Sequence, residues 1–265
     1  MPRTRLNKSI VVMVWAAVFL GLAHPSLIRG GAVDLSGEFA METWTTDNGM
    51  PHNTVTAILQ TRQGYIWAGT YNGIAQFDGE RFTVFDASNT LGLDDSRITA
   101  LYEDAQGVVW IGHDRGAVTR YVNGEFEPVA TGKPWGNATV VGFGNDEHGD
   151  LWILNLRGEA LRLLDSLLLQ PLPQMIVEPI VTPAIAADAE HRLHVVRNGV
   201  AARITPTGYQ EAKFGADYHA QLTRANGGGF WVAGADRVRQ WDGQKWVKDF
   251  RPFPLGESFV TTMLE

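Results

Sequence analysis

Three groups of side chains in this sequence have the types that could do chemistry. The first is acidic: Asp94-Asp95 and Glu103-Asp104. A catalytic carboxylate pair needs a set separation across a cleft, which adjacency in sequence does not supply. These residues therefore read as solvated turn and strand-end charges. The second group is His191-Arg-Leu-His194. Histidines three apart share a helix face, but along a strand they point to opposite faces. The chain has no cysteine, and no acidic cluster lies near enough in sequence to complete a metal site. Both read as ordinary histidines, and neither metal nor cofactor is expected. The third is Trp135, in Gly132-Lys-Pro-Trp-Gly136. That turn-rich connection is where ligand contacts often sit, so Trp135 is the candidate ligand-binding residue. No catalytic residue is expected. No G-x-x-x-x-G-K-[ST] occurs, so phosphate transfer from ATP is not expected either.

The elements that must carry these residues repeat. Trp67, Trp110 and Trp152 are 43 and 42 residues apart; His194 follows 42 later and Trp231 37 after that. Gly64, Gly107 and Gly149 each lie three residues before a repeat tryptophan, and Gly73, Gly116 and Gly158 each lie six after. Gly69 and Gly112 follow their tryptophans by two residues, and Gly234 stands in the fifth unit. Apolar runs precede the glycines: Val55-Thr-Ala-Ile-Leu59, Ile98-Thr-Ala-Leu-Tyr102 and Val140-Val-Gly-Phe143. Asp78-Gly79, Asn123-Gly124 and Asp242-Gly243 supply the positive φ of tight hairpins. About four short alternating strands per ~40-residue period is the signature of a β-propeller blade. The repeat tryptophans read as packing between blades, since one blade cannot bury both its faces alone.

The expected fold is therefore all-β, an incomplete β-propeller of five four-stranded blades plus the first strand of a sixth. Blades are expected at about 54–96, 97–138, 139–181, 182–219 and 220–259, with a new blade starting at 260–265, where Val260-Thr-Thr-Met-Leu-Glu265 aligns with Ile98-Thr-Ala-Leu-Tyr-Glu103. On this reading the gene, or its ancestor, continues past Glu265. The fourth unit carries His194 in place of tryptophan. The run Leu161 to Val181 fits outer strands of blade three and a longer loop, with Pro171 and Pro173 stopping any helix.

Ahead of the repeats, Arg3, Arg5 and Lys8 precede an apolar run from Ile10 to Ala23. That run is shorter than the ~20 residues of a bilayer span and has the form of an export signal. Residues 1–32 are read as a signal peptide or membrane anchor, 33–53 as a lead-in and 54–265 as the partial propeller. The formal charge of −7 argues against a general nucleic-acid binder.

Asp104-Ala-Gln-Gly-Val-Val-Trp110 and Asp146-Glu-His-Gly-Asp-Leu-Trp152 invite comparison with the sialidase Asp-box, but there the aspartate lies two residues before the glycine, and here three. Turn-capping is the plainer role. The repeats instead resemble the two-component regulator propeller family, in Thr56-Ala-Ile-Leu-Gln-Thr-Arg-Gln-Gly-Tyr-Ile-Trp-Ala-Gly-Thr70, in Glu103-Asp-Ala-Gln-Gly-Val-Val-Trp-Ile-Gly112 and in the lead-in from Trp44 to Val55. That resemblance implies an extracytoplasmic, periplasmic sensor region whose full-length form is anchored in the inner membrane. It implies a small ligand, in several members a polysaccharide fragment, and downstream signalling domains with a kinase or cyclase output, none of which occurs in these residues. A homodimer in the full-length context stays open. The alternatives are a carbohydrate-active enzyme on a propeller, glycosidase or lyase, and a passive interaction scaffold.

Overall fold

The structure, a computed structural model, describes residues 43–250 except 133–134, 164, 166, 173–174, 177–181, 213–219, 226–227, 235–236 and 243. The signal segment at 1–32 and the sixth-blade strand expected at 260–265 lie outside the described residues. Among the described residues, twenty strands form five four-stranded antiparallel sheets. Blade one is β1 (Val55–Gln60), β2 (Ile66–Thr70), β3 (Gly73–Phe77) and β4 (Phe82–Phe85). Blade two is β5 (Ile98–Glu103), β6 (Val109–His113), β7 (Val118–Val122) and β8 (Glu125–Val129). Blade three is β9 (Val140–Asn145), β10 (Leu151–Asn155), β11 (Ala160–Arg162) and β12 (Leu167–Leu169). Blade four is β13 (Ala184–Ala187), β14 (Leu193–Arg197), β15 (Val200–Thr205) and β16 (Gly208–Glu211). Blade five is β17 (Gln221–Arg224), β18 (Phe230–Ala233), β19 (Val238–Trp241) and β20 (Trp246–Phe250). In every sheet the strands pair in sequence order. The innermost strands succeed one another about a common axis: β1 lies beside β5, β5 beside β9, β9 beside β13 and β13 beside β17. The fold is a β-propeller.

The core lies between blades, and the second strand of each blade shows why. Its side chains alternate between the following and the preceding blade, as strand pleating requires. Trp67 packs onto Tyr121 and Phe126 of blade two, with ring centroids 4.9 and 6.3 Å away. Trp110 clusters with Phe143, Leu151 and Leu161 of blade three. Trp152 clusters with Leu193, Val195 and Ile204 of blade four. His194 holds the same position and meets Phe230 of blade five edge-on at 4.9 Å. The residue after each tryptophan faces backwards, so Ile111 and Ile153 close the clusters begun by Trp67 and Trp110.

Gly69 is required by this packing. A Cβ there would stand 2.7 Å from Cγ2 of Ile98, the first residue of the next inner strand. Beside it, the Thr56 hydroxyl donates to the Ile98 carbonyl at 2.7 Å, and Thr99 makes the same bond to Val140 at 2.6 Å. Blade one, at the start of the series, carries small Ala68 and Ala75 on its backward face. Met50 packs there, and Trp44 lies on Phe77 and Phe82 at 5.0 and 5.8 Å.

Candidate functional site

Meander topology sorts the turns by end. The β1–β2 and β3–β4 turns of blade one, and their counterparts, lie at one end. The β2–β3 type turns and the starts of the inner strands lie at the other.

At the first end a single turn recurs in all five blades. In blade two, Gly107 N–H donates to Asp104 O and Asp104 N–H to Val108 O, at 3.1 and 3.0 Å. Gly107 sits at φ +81°, the left-handed region that suits glycine. Asp104 Oδ1 accepts the amides of Gln106 and Val108, and Oδ2 accepts the Trp110 indole N–H at 2.7 Å. Asp146 repeats the pattern with His148, Asp150 and Trp152. The aspartates thus cap the turn and also clamp the tryptophan six residues on. Asp104 is buried at 6% exposure, which corrects its reading as a solvated charge; its neighbour Glu103 is half-buried and accepts the Arg62 amide at 2.9 Å. Asp94 is exposed, and Asp95 accepts the Arg97 amide.

Blades one, four and five vary this unit, and in blade five Ala225 stands at the aspartate position. In blade one the aspartate is Thr61, whose hydroxyl donates to Tyr65 O, and buried Trp67 Nε1 has no hydrogen-bond partner among the described residues. In blade four the tryptophan is His194, with Nε2 3.2 Å from Asp188 Oδ2. Asp188 Oδ1 accepts the amides of Glu190 and Arg192, and its Oδ2 also takes Arg192 Nε at 2.7 Å. Burial raises the Asp188 pKa, but the bonds from His194 and Arg192 outweigh it and hold the carboxyl down at about 2. His191 stands where the other blades have glycine, at φ +60°. The two histidines do not alternate along one strand, as expected from sequence: His191 is in the turn and only His194 is in β14. An acidic partner for His194 does exist, Asp188, six residues upstream. Among the described residues no group of three metal-ligating side chains forms.

The other end presents its polar groups outward. Tyr71, in the β2–β3 turn, is 42% exposed. The Arg97 guanidinium lies over its ring, 4.9 Å from the centroid, and the His52 ring meets it edge-on at 6.1 Å. Arg97 Nε donates to Asp114 Oδ2 at 2.9 Å, and Thr139 Oγ1 donates to the Asp114 carbonyl at 2.8 Å. Arg115 and Arg157, in the equivalent turns of blades two and three, are exposed. An aromatic face, a guanidinium and a carboxylate therefore meet on one exposed surface spanning blades one and two. Convergent donors and acceptors beside a flat apolar face are the chemistry of a polar-ligand site. Tyr71 and Asp114 each follow a repeat tryptophan by four positions and Arg97 immediately precedes β5, where glycine and strand patterns impose nothing, and sequence reasoning passed over them.

Trp135, the ligand candidate from sequence, is placed elsewhere. It is fully buried in the core between blades two and three, and its indole N–H donates to Gly116 O at 2.9 Å. It offers no face to a ligand because its connection folds inward over the blade junction. The remaining repeat residues take structural places: Trp67, Trp110 and Trp152 are buried, Gly64 and Gly149 occupy the recurring turn, Gly73, Gly116 and Gly158 follow the β2–β3 type turns, Gly112 repeats the Gly69 approach, and Trp231 and Gly234 lie in and just after β18.

Solved structures share this fold. Virginiamycin B lyase from Staphylococcus aureus superposes with a TM-score of 0.57 at 16% identity, over 74% of this chain and 69% of that one. The extracellular domain of a hybrid two component system from B. thetaiotaomicron gives 0.57 at 17% identity, over 75% of this chain. A second such domain from the same organism gives 0.54 at 19% identity, over 74% of this chain. The chain spans 28% and 30% of the length of those two domains. No curated protein matches the chain. Residues 49–72 and 92–115 both match the two component regulator propeller repeat. The chain thus carries the repeats of the two component regulator propeller family in its first two blades, as the sequence resemblance implied.

Proposed function

We propose that this propeller is the extracytoplasmic ligand-sensing part of a signal-transduction protein, and that it carries no catalysis of its own. The observation behind this reading is the exposed cluster of His52, Tyr71, Arg97 and Asp114 on a propeller with two-component regulator repeats. Its ligand is a polyhydroxylated small molecule of the oligosaccharide class: the Tyr71 ring supplies a stacking face, and Arg97 and Asp114 supply donor and acceptor. The downstream partner is an output domain in the full-length protein, with export by the N-terminal segment.

The test is calorimetric titration of a panel of neutral and acidic oligosaccharides into the purified chain. A binder weakened about tenfold or more by Tyr71→Ala and by Arg97→Ala, a loss near 1.4 kcal/mol, supports the reading. A panel without a binder, or turnover of any member, contradicts it.

A further inference from the structure

Thr70, His113, Asn155 and Arg197 end the second strands of blades one to four, at the Tyr71 end, and all are buried. Thr70 and Asn155 turn to the turn that follows. The Thr70 hydroxyl accepts the Asn72 amide at 3.1 Å, and Asn155 Oδ1 accepts the amides of Arg157 and Glu159 at 3.0 and 3.1 Å. His113 departs from this pattern. It is fully enclosed, with Nε2 3.0 Å from the buried hydroxyl of Thr119 on β7. Its Nδ1, equally buried, makes no hydrogen bond among the described residues. A neutral imidazole suits this place, because it has one N–H to give and Thr119 can meet it. A protonated ring carries two N–H groups and a charge, and the second N–H lacks an acceptor.

His113 lies directly beneath the sensing surface. Asp114, the next residue, donates its amide to the Arg97 carbonyl at 3.1 Å and accepts Arg97 Nε at 2.9 Å. Arg97 donates its own amide to Asp95 Oδ1 at 2.9 Å and lays its guanidinium over Tyr71. Ile98 pairs with His113 across β5 and β6, which sets the segment 94–97 beside the end of β6. The charged groups about His113 are therefore Asp94, Asp95 and Arg97 from that segment, and Asp114 and Arg115 from its own turn. Burial lowers the His113 pKa, and the charge and carbonyl of Asp95, with the charge of Asp94, oppose that in part.

We propose that acidification charges His113 and loosens Arg97 from the Tyr71 ring, so that the sensing surface holds its ligand less tightly at acid pH. The new Nδ1 proton comes from solvent and needs an acceptor. Drawing Asp95 inward to supply one takes its Oδ1 from the Arg97 amide. Arg97 then loses one of the bonds that hold it over Tyr71. His113 thus acts as a positioning residue. The effect on ligand rests on the sensing function proposed above, whereas the loosening of Arg97 does not.

NMR of the purified chain without ligand, from about pH 8 to about pH 4.5, follows the His113 ring and the Arg97 Nε–H. The ring is expected to titrate below the ordinary 6.5, since burial opposes its charge. The Arg97 signal should shift with the same midpoint and lose that shift in His113→Gln, which does not titrate. Asp95→Asn, away from the core, is the second variant: it keeps an oxygen for the Arg97 amide, removes the charge that meets the ring, and should move both midpoints down together. A ring that titrates at or above 6.5, a ring that stays neutral throughout, or an Arg97 shift that persists in His113→Gln overturns the proposal. An oligosaccharide from the panel that binds near pH 7.5 should bind about tenfold more weakly near pH 5 in the wild type and nearly unchanged in His113→Gln. Equal weakening in both also overturns it. A panel without a binder defeats the sensing function, and the ligand-free NMR then decides on the switch.

Discussion

Asp104 and Asp114 lie in the same blade, ten residues apart, at opposite ends of β6. Asp104 is buried and directs both oxygens inward, onto two amides and an indole. Asp114 is a third exposed and shares one guanidinium with solvent, beside a tyrosine ring. The difference separates the two jobs of the propeller. At the Asp-turn end, the carboxylates of Asp104 and Asp146 are consumed in fixing Trp110 and Trp152 against the next blade. At the other end Thr70 and Asn155 cap the turns, while Tyr71, Arg97 and Asp114 face outward. Substitutions at the first end should change stability, and substitutions at the second should change binding.

The largest effect is expected from Asp104→Ala. It strands the Trp110 indole and two amides in a buried turn, at a cost of about 3 kcal/mol. Chemical denaturation measures it, and Asp104→Asn, which keeps an acceptor for the amides, should lose less. Equal losses in both variants would show that the amide bonds to the carboxylate contribute nothing.

Next is the pH dependence of the Asp188 cluster. Its folded pKa of about 2 lies below the ordinary aspartate value of 3.8, so its stabilisation is present above about pH 4 and lost as pH falls towards 2. The shift corresponds to roughly 2 kcal/mol. The stability gap between the wild type and Asp188→Asn should be full near neutral pH and narrow over that window. A gap that persists below about pH 2 would assign the effect to geometry instead of charge.

Two substitutions should sharpen the comparison by making irregular blades regular. Thr61→Asp gives the buried Trp67 indole the acceptor that Trp110 and Trp152 have, for a gain of about 1 kcal/mol. His191→Gly relieves a left-handed backbone position, for a gain below about 1 kcal/mol. Thermal melts measure both, and a loss in either case would mean that the irregular blade has compensations of its own.

How far these features could be read in the sequence follows the same division. The blade count and the order of strands were legible because the tryptophan spacing and the Asn-Gly and Asp-Gly turns are local and periodic. The Asp–Trp clamp was half legible: the aspartates at 104 and 146 announced capped turns, but the indole bond joins residues six apart across a hairpin, which no spacing rule demanded. Trp135 misled because a Gly-Pro-rich connection usually stays at the surface, and this one folds its indole into the blade junction. Tyr71, Arg97 and Asp114 were invisible because the repeat leaves their positions unconstrained, and they meet only when blades one and two pack side by side.

The smallest stability effect belongs to Tyr71→Ala, and the same variant gives the most direct test. The Tyr71 ring is exposed, so its removal should change the melting free energy by less than about 0.5 kcal/mol. Titrating one oligosaccharide binder into the wild type, Tyr71→Ala and Asp104→Asn decides whether ligand sensing belongs to the Tyr71 end. The predicted result is binding weakened about tenfold in Tyr71→Ala and unchanged in folded Asp104→Asn. Full binding in Tyr71→Ala, or equal weakening in both, would contradict it.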